Sequence, residues 1–201
     1  MRPLGESRYL CFRFLARCCC TAGMAAFLIL WPLSVEKSLA GSFTPEQVKA
    51  AMLIKFTDFI TWPEKAFDRS PDTFVIGILG SPKMFRLMAP LKGKKIQGRS
   101  LSVVQLKRWD PGQPVHLLYL GKSGTGLDPP PEGGTGSKAT LTVSDSEEFL
   151  KAGGILSFIT GENGRIGFAV NRTAQIRSGL VFSSSLLKLA QIRYYGYGVE
   201  K

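Results

Sequence analysis

General acid–base chemistry near neutral pH most often uses histidine, and this chain has a single one, His116. It stands in the apolar stretch VHLLYL, between Val115 and Leu117. A zinc or copper site would need further histidine or cysteine ligands, and all four cysteines lie within the first 20 residues. We therefore predict that His116 is a core histidine with one hydrogen-bond partner, and that the chain binds no metal.

Carboxylates and hydroxyls form two further clusters that could serve hydrolysis. Asp145, Glu147 and Glu148 lie near a predicted helix start, where negative charge is favourable. Residues 183–185 offer three serine hydroxyls, but no base is available to activate one. We interpret the acids as helix-start residues and Ser183 or Ser184 as an N-cap. The residue types therefore disfavour an enzyme.

Glycines are frequent in residues 121–138 but do not form a nucleotide-binding motif. Gly121-Lys122-Ser123 is similar to the end of a phosphate-binding P-loop, yet His116 stands where that motif requires its first glycine. The segment is rich in Gly, Pro and Ser and has little to bury. We predict a flexible loop and no bound cofactor.

Four basic residues cluster within eight positions: Lys92, Lys94, Lys95 and Arg99. Such a run is typical of a solvated turn. An anion-attracting patch is the alternative, and the residue types leave both interpretations open.

The first forty residues have the three parts of a secretory signal peptide. Four arginines form a basic start, an apolar run follows over about residues 21–33, and small residues precede the predicted cleavage after Ala40. An uncleaved anchor is the alternative. Because the cysteines at positions 11, 18, 19 and 20 all fall in this segment, the predicted mature chain has none and cannot form disulfides.

Removal of residues 1–40 leaves the chain basic. That segment carries five of the 26 Lys and Arg and two of the 15 Asp and Glu, so the remaining chain has a formal net charge of +8. Nucleic acid is not expected as a partner of an exported protein. We predict instead a weak attraction to anionic cell-envelope polymers, or an acidic protein partner.

Strand-like and helix-like patterns alternate along residues 41–201. The predicted strands are short and apolar on both faces: residues 73–80, 101–106, 115–120 and 139–143. The main predicted helices cover residues 44–62, 82–91, 173–177 and 184–193. Two further strands flank Asn163-Gly164 as a β-hairpin. These patterns predict a single three-layer α/β domain, whose central, mixed, mostly parallel sheet is flanked by helices, with the hairpin near the C-terminal end.

The first predicted helix contains KAAMLIKFTDFITWP and is apolar on more than one face. We expect a capping box of Thr44 and Gln47 at its start, and Pro63 to end it at Trp62. One helical stripe is predicted to face the core: Val48, Met52, Phe56, and Phe59 or Ile60. Leu53 and Ile54 lie off this stripe, which favours a homodimer or partner contact.

Several stretches together resemble the YfiR family of periplasmic proteins, also called YfiR/HmsC-like. The first carries the pattern KA…F..F..WP over residues 49–63 and leads into the strand FVIGILG of residues 74–80. The others are LTVSD at 141–145, GGI at 153–155, FAVN at 168–171 and GL…SS.LL.LA at 179–190. The family-motif positions that we single out are Asn171, Ser183, Ser184, Leu186 and Leu187.

This resemblance implies a periplasmic repressor that binds the periplasmic segment of a membrane-bound sensor or diguanylate cyclase. Such a protein restrains cyclic-di-GMP synthesis and biofilm formation, and it is typically a homodimer. Redox-sensitive members of the family carry disulfides that this chain cannot form, so its stability should not respond to reductant. The residues predicted to contact a partner or a second copy are Leu53, Ile54, Phe56, Phe59, Trp62 and Pro63.

The alternative is a small-molecule binding module, a periplasmic sensor without catalytic activity. In an open α/β sheet, the crevice at the carboxyl ends of the strands is the usual place for such a ligand.

Overall fold

The computed structural model describes residues 43–110, 112–121 and 139–194. The predicted signal peptide and all but the first residue of the predicted glycine-rich loop lie outside these residues. The same holds for the end of the chain after Tyr194.

Within the described residues, eight strands form one sheet and two form a separate short ribbon. In chain order the strands are β1 (Ile60–Thr61), β2 (Thr73–Leu79), β3 (Lys95–Ile96), β4 (Arg99–Leu106), β5 (Leu117–Leu120), β6 (Leu141–Ser144), β7 (Leu156–Thr160), β8 (Ile166–Asn171), β9 (Val181–Phe182) and β10 (Gln191–Arg193). The large sheet has the order β10-β8-β7-β6-β5-β2-β4-β3. Its neighbours are parallel except for the pairs β7–β8 and β3–β4. The predicted α/β fold with a mixed, mostly parallel sheet is confirmed.

The central strands are apolar on both faces because both faces of the sheet are covered. Ile76 and Ile78 of β2 pack in the larger core, whereas Val75 and Leu79 pack in a smaller core on the other face. Gly77 lies between them in a tight space, since a Cβ there would lie 2.8 Å from Cδ1 of Leu106, whose side chain would have to move. This two-sided burial explains why these strands lack the polar–apolar alternation of a half-exposed sheet.

The described helices are α1 (Pro45–Phe59), α2 (Pro82–Met88), α3 (Glu147–Lys151), α4 (Arg172–Ser178) and α5 (Ser184–Leu189), with 3-10 turns at Glu64–Phe67 and Ala89–Leu91. The predicted capping box at the start of α1 is confirmed. The backbone N–H of Gln47 donates to the Thr44 hydroxyl, and the Thr44 N–H donates to the Gln47 side chain. Because Pro45 has no N–H, the first turn leaves three N–H groups unpaired, and the capping box satisfies two of them.

The predicted end of α1 at Trp62 is wrong. The helix ends at Phe59, and Ile60 takes an extended conformation and pairs with Phe182 of β9. The side chain of Gln97 makes this early end possible, because its Nε2 donates to the carbonyl oxygens of Thr57 at 2.7 Å and Ile60 at 2.8 Å. A side chain distant in sequence thus satisfies carbonyls that a helix terminus leaves open.

The predicted helix over residues 184–193 is also wrong in its second half. Helix α5 ends at Leu189, Ala190 is extended, and β10 adds parallel to the edge strand β8. The local sequence has helical periodicity, but β10 pairs with backbone groups of β8 that would otherwise remain open at the sheet edge. Tertiary pairing therefore overrides the local preference.

We expect Gln97→Ala to lower the free energy of unfolding by about 1–2 kcal/mol, because it removes two hydrogen bonds to helix-end carbonyls. Alanine keeps a Cβ at this residue, whose φ of 48° lies in the left-handed region, so the backbone strain is unchanged. Urea denaturation measures the change. Gln105→Ala, at an exposed position in β4, is the matched control, and an equal loss in both variants would contradict the assignment.

Candidate functional site

The carboxyl edge of the sheet is where a ligand crevice was expected, and the chain itself occupies it. In the sheet, β4 lies on one side of β2 and β5, with β6 on the other, so the strand order reverses between β2 and β5. Such a switch point is the usual place for a ligand in an open α/β sheet. The segments after these strands approach closely there, because a Cβ on Gly121 would lie 2.6 Å from the carbonyl oxygen of Gly80. Little space remains between the two strand ends.

Three side chains fill the adjacent space, and we call Lys49, Tyr119 and Asp145 the strand-end cluster. Nζ of Lys49 lies 3.0 Å from Oδ1 of Asp145, with both side chains 14% exposed. The Tyr119 hydroxyl donates to Oδ2 of the same carboxylate at 2.8 Å. Burial, and then the charge of Asp145, raise the pKa of Tyr119 far above its ordinary value. The hydroxyl therefore remains a proton donor to Asp145.

A second ion pair fixes the same end of α1. Nζ of Lys83, at the start of α2, lies 2.9 Å from Oε2 of Glu46. This pair is more exposed than the pair of the strand-end cluster and contributes less. Together the two pairs hold the first turns of α1 over the carboxyl edge.

His116 lies in the core at the opposite, amino-terminal edge of β5, as predicted, but it has more than the one expected partner. Its Nδ1 accepts from the N–H of Val75 at 2.8 Å, and its Nε2 lies 3.2 Å from the carbonyl oxygen of Ala66. The ring stacks on Phe67 with centroids 4.5 Å apart. Nε1 of Trp62 donates to the His116 carbonyl at 3.0 Å. His116 therefore connects the segment after α1 to β2 and β5.

The imidazole is held neutral mainly by its burial. Burial, with a smaller contribution from the nearby charge of Arg99, lowers the pKa of His116 to about 4, although the hydrogen bond to the Ala66 carbonyl opposes the shift. A neutral histidine with an occupied Nδ1 lone pair is a structural connector. It is not placed as a free base.

The other residues considered for chemistry have structural partners. Ser183 caps α5 by accepting from the N–H of Leu186, and Asn171 caps α4 by accepting from the N–H of Ala174. The Ser146 hydroxyl donates to Glu148. Glu147 lies 3.8 Å from the Arg193 guanidinium. The predicted N-cap role of Ser183 is confirmed, and Asn171 has the same kind of role at α4.

The six residues predicted to contact a partner divide into two groups. Leu53, Phe56 and Trp62 are buried in the core of this domain. The prediction that Leu53 lies off the buried stripe is wrong, because α1 turns Ala50, Leu53 and Phe56 inward together. The remaining three are Ile54 and Pro63, which are half-buried, and Phe59, which is exposed.

Phe59 lies beside the β1–β9 ribbon, which the sequence patterns missed because each strand has two residues. Ile60 and Phe182 pair and point into the core, whereas Thr61 and Val181 pair and are exposed. Phe59 is 40% exposed and Val181 64% exposed. We call Phe59, Thr61 and Val181 the ribbon face.

The basic cluster is not uniform. Lys92, Lys94 and Lys95 are exposed, with no ion pair to any described carboxylate. Arg99 has two partners. Its guanidinium lies 3.1 Å from a carboxylate oxygen of Glu64, and its Cζ lies 3.6 Å from the centroid of the Phe67 ring. The predicted anion-attracting patch is thus reduced to the three lysines beside edge strand β3, and its role stays a prediction.

The described ranges contain neither a candidate metal site nor a candidate membrane-spanning helix. No group of His, Cys, Asp and Glu there could hold a metal ion. None of the helices described is both long and apolar enough to cross a membrane.

We expect the pH dependence of stability to report on His116. Its folded pKa lies below the ordinary 6.5, so the unfolded chain binds the proton first as pH falls. The contribution of neutral His116 to the free energy of unfolding is complete above pH 6.5. It falls by about 3 kcal/mol as the pH drops to 4. Denaturation of the wild type and of His116→Gln at several pH values measures the difference. Equal slopes between pH 6.5 and pH 4 in both proteins would contradict this account.

Comparisons with known proteins place the chain in a family. A search of curated proteins found no match to this chain. A family model described as YfiR/HmsC-like matches residues 46–191, from the first turn of α1 to the start of β10. The match includes the strand-end cluster, His116 and the ribbon face, and it covers well over half of the chain. The chain belongs to the YfiR/HmsC-like family.

Proposed function

We propose that this protein is a periplasmic repressor of a membrane-bound diguanylate cyclase. It would bind the periplasmic segment of that cyclase, or of an associated sensor, and favour its inactive state. A binding protein can shift such an equilibrium only as far as its affinities for the two states differ. The result would be less cyclic-di-GMP signalling and less biofilm.

The family match carries this proposal, because it extends over nearly all of the described domain. The chemistry of the domain agrees with a binding role. Asp145 and Glu147 are engaged in ion pairs, Ser183 in a helix cap, and His116 is buried. At the carboxyl edge, Gly121 and Gly80 approach closely and Lys49 is paired with Asp145, which leaves little support for a small-molecule sensor at that place.

The ribbon face is the surface that we propose for the contact. Phe59 and Val181 are exposed apolar side chains on adjoining backbone, since the N–H of Ser183 donates to the carbonyl of Phe59. Ile54 and Pro63 extend this area at partial exposure. Apolar and aromatic side chains at the centre of a contact contribute most of its binding energy.

We also propose that the protein is exported, that its signal peptide is cleaved near Ala40, and that it forms a homodimer. The basic charge would add a weak attraction to anionic cell-envelope polymers or to an acidic partner surface. A homodimer and a cyclase complex could compete for the ribbon face, and the variants below distinguish the two.

We expect deletion of the gene to raise cellular cyclic-di-GMP, and Phe59→Asp/Val181→Asp to reproduce that rise. The two carboxylates would have to be desolvated in a contact, which is unfavourable, yet both positions are solvent-exposed in the domain, so folding should persist. Cyclic-di-GMP is measured in cells that carry each allele. Analytical ultracentrifugation of the purified variant reports its oligomeric state.

Leu189→Asp is the control, since Leu189 is 76% exposed and lies at the far end of α5. It should repress like the wild type. Unchanged cyclic-di-GMP on deletion would refute the regulatory role itself. Full repression by the Phe59→Asp/Val181→Asp variant would refute only the ribbon face as the contact. A monomeric variant that represses would assign the face to the dimer.

A further inference from the structure

A small cleft lies at the amino-terminal edge of the sheet, on the opposite side from the strand-end cluster. Its volume is about 80 Å³, which is room for several water molecules. The 3-10 turn Glu64–Phe67 forms one wall, and the segments that lead into β5 and β6 form the others. Its lining residues are Lys65, Ala66, Arg69, Gln113, Pro114, Val115, His116 and Ala139.

Two cations face this cleft without a compensating acid. Among the described residues, no carboxylate lies within ion-pair distance of Lys65 or Arg69. Arg99 differs from Arg69 in this respect, because Arg99 pairs with Glu64. Lys65 and Arg69 are therefore exposed cations without an ion pair to a described carboxylate.

The other polar groups of the cleft suit an anion. Gln113 has an amide that can donate, and no carboxylate is among the lining residues. An arginine can donate two parallel hydrogen bonds to a carboxylate or a phosphate, and a lysine adds a point charge. His116 forms part of the cleft wall and adds no negative charge. Ala139 has a φ of 82°, a strained backbone value for a non-glycine residue that often occurs beside ligands.

We propose that this cleft binds a small anionic group, a phosphate or a carboxylate, held by Lys65 and Arg69. The volume admits the charged group alone, so a larger ligand would extend into solvent. This inference does not rest on the proposed regulation of a cyclase, and the failure of either leaves the other standing.

His116 makes the test specific, because it is the only histidine of the chain and lines the cleft. Its Cε1–H resonance is therefore a single, assigned NMR reporter. At pH 7 the ring is far above its pKa of about 4, so small pH differences between solutions do not move the signal. Sodium phosphate and sodium acetate are titrated separately into the purified protein, with sodium chloride keeping the ionic strength constant.

We expect a saturable shift of the His116 resonance with at least one of the two anions. Lys65→Ala/Arg69→Ala should weaken the apparent affinity about tenfold or more, the effect of losing charge-assisted hydrogen bonds. Arg165→Ala/Lys188→Ala, which removes one arginine and one lysine from exposed positions outside both the cleft and the lysine cluster, should bind like the wild type. A response to phosphate alone identifies a phosphate group, and one to acetate alone a carboxylate.

Two results would overturn the proposal. One is the absence of a saturable shift with both anions. The other is a shift that remains equally strong in Lys65→Ala/Arg69→Ala, which would show that the anions act elsewhere on the basic surface. The unperturbed unfolding transition of each variant confirms that it is folded.

Discussion

The buried ion pair between Lys49 and Asp145 is the interaction on which the arrangement of this domain depends. It joins the first helix to the end of β6, and the Tyr119 hydroxyl satisfies the second carboxylate oxygen. A buried pair of this kind adds little net stability compared with apolar groups, but leaving one partner alone is strongly unfavourable. We therefore expect this pair to specify where α1 docks, because neither charge is left unpaired only when the ammonium meets this carboxylate.

This placement has consequences for function. With the first turns of α1 at the carboxyl edge, the chain itself comes close to the place that α/β proteins commonly use for ligands. Two other places are candidates for contacts. The ribbon face presents Phe59 and Val181 to solvent, and the cleft beside His116 presents two unneutralised cations. Exposed apolar side chains on the ribbon face agree with a binding role, consistent with a regulatory family.

Much of the fold was predictable because local signals and tertiary structure agree. Strands apolar on both faces, the Thr44 capping box and the Asn163-Gly164 hairpin each follow from a few adjacent residues. The failures have distant causes. The end of α1 depends on Gln97, and β10 depends on the edge of β8. The burial of Leu53 was missed because a helix apolar on several faces does not define its inward side. In the candidate site, the sequence alone indicates that His116 is a core residue. The ion pair between Lys49 and Asp145, and the position of Lys65 and Arg69 beside His116, join segments that are distant in the sequence, so residue spacing does not reveal them.

The central claim is that Lys49 and Asp145 act as a coupled pair that fixes α1 over the sheet. A double-mutant cycle with Lys49→Met, Asp145→Asn and the combined variant measures that coupling from free energies of unfolding. We expect each single variant to lose about 3 kcal/mol, since it leaves the other charge buried and unpaired. The double variant should lose about 2 kcal/mol less than the sum of the two. Additive losses, with no coupling energy beyond about 0.5 kcal/mol, would contradict the account.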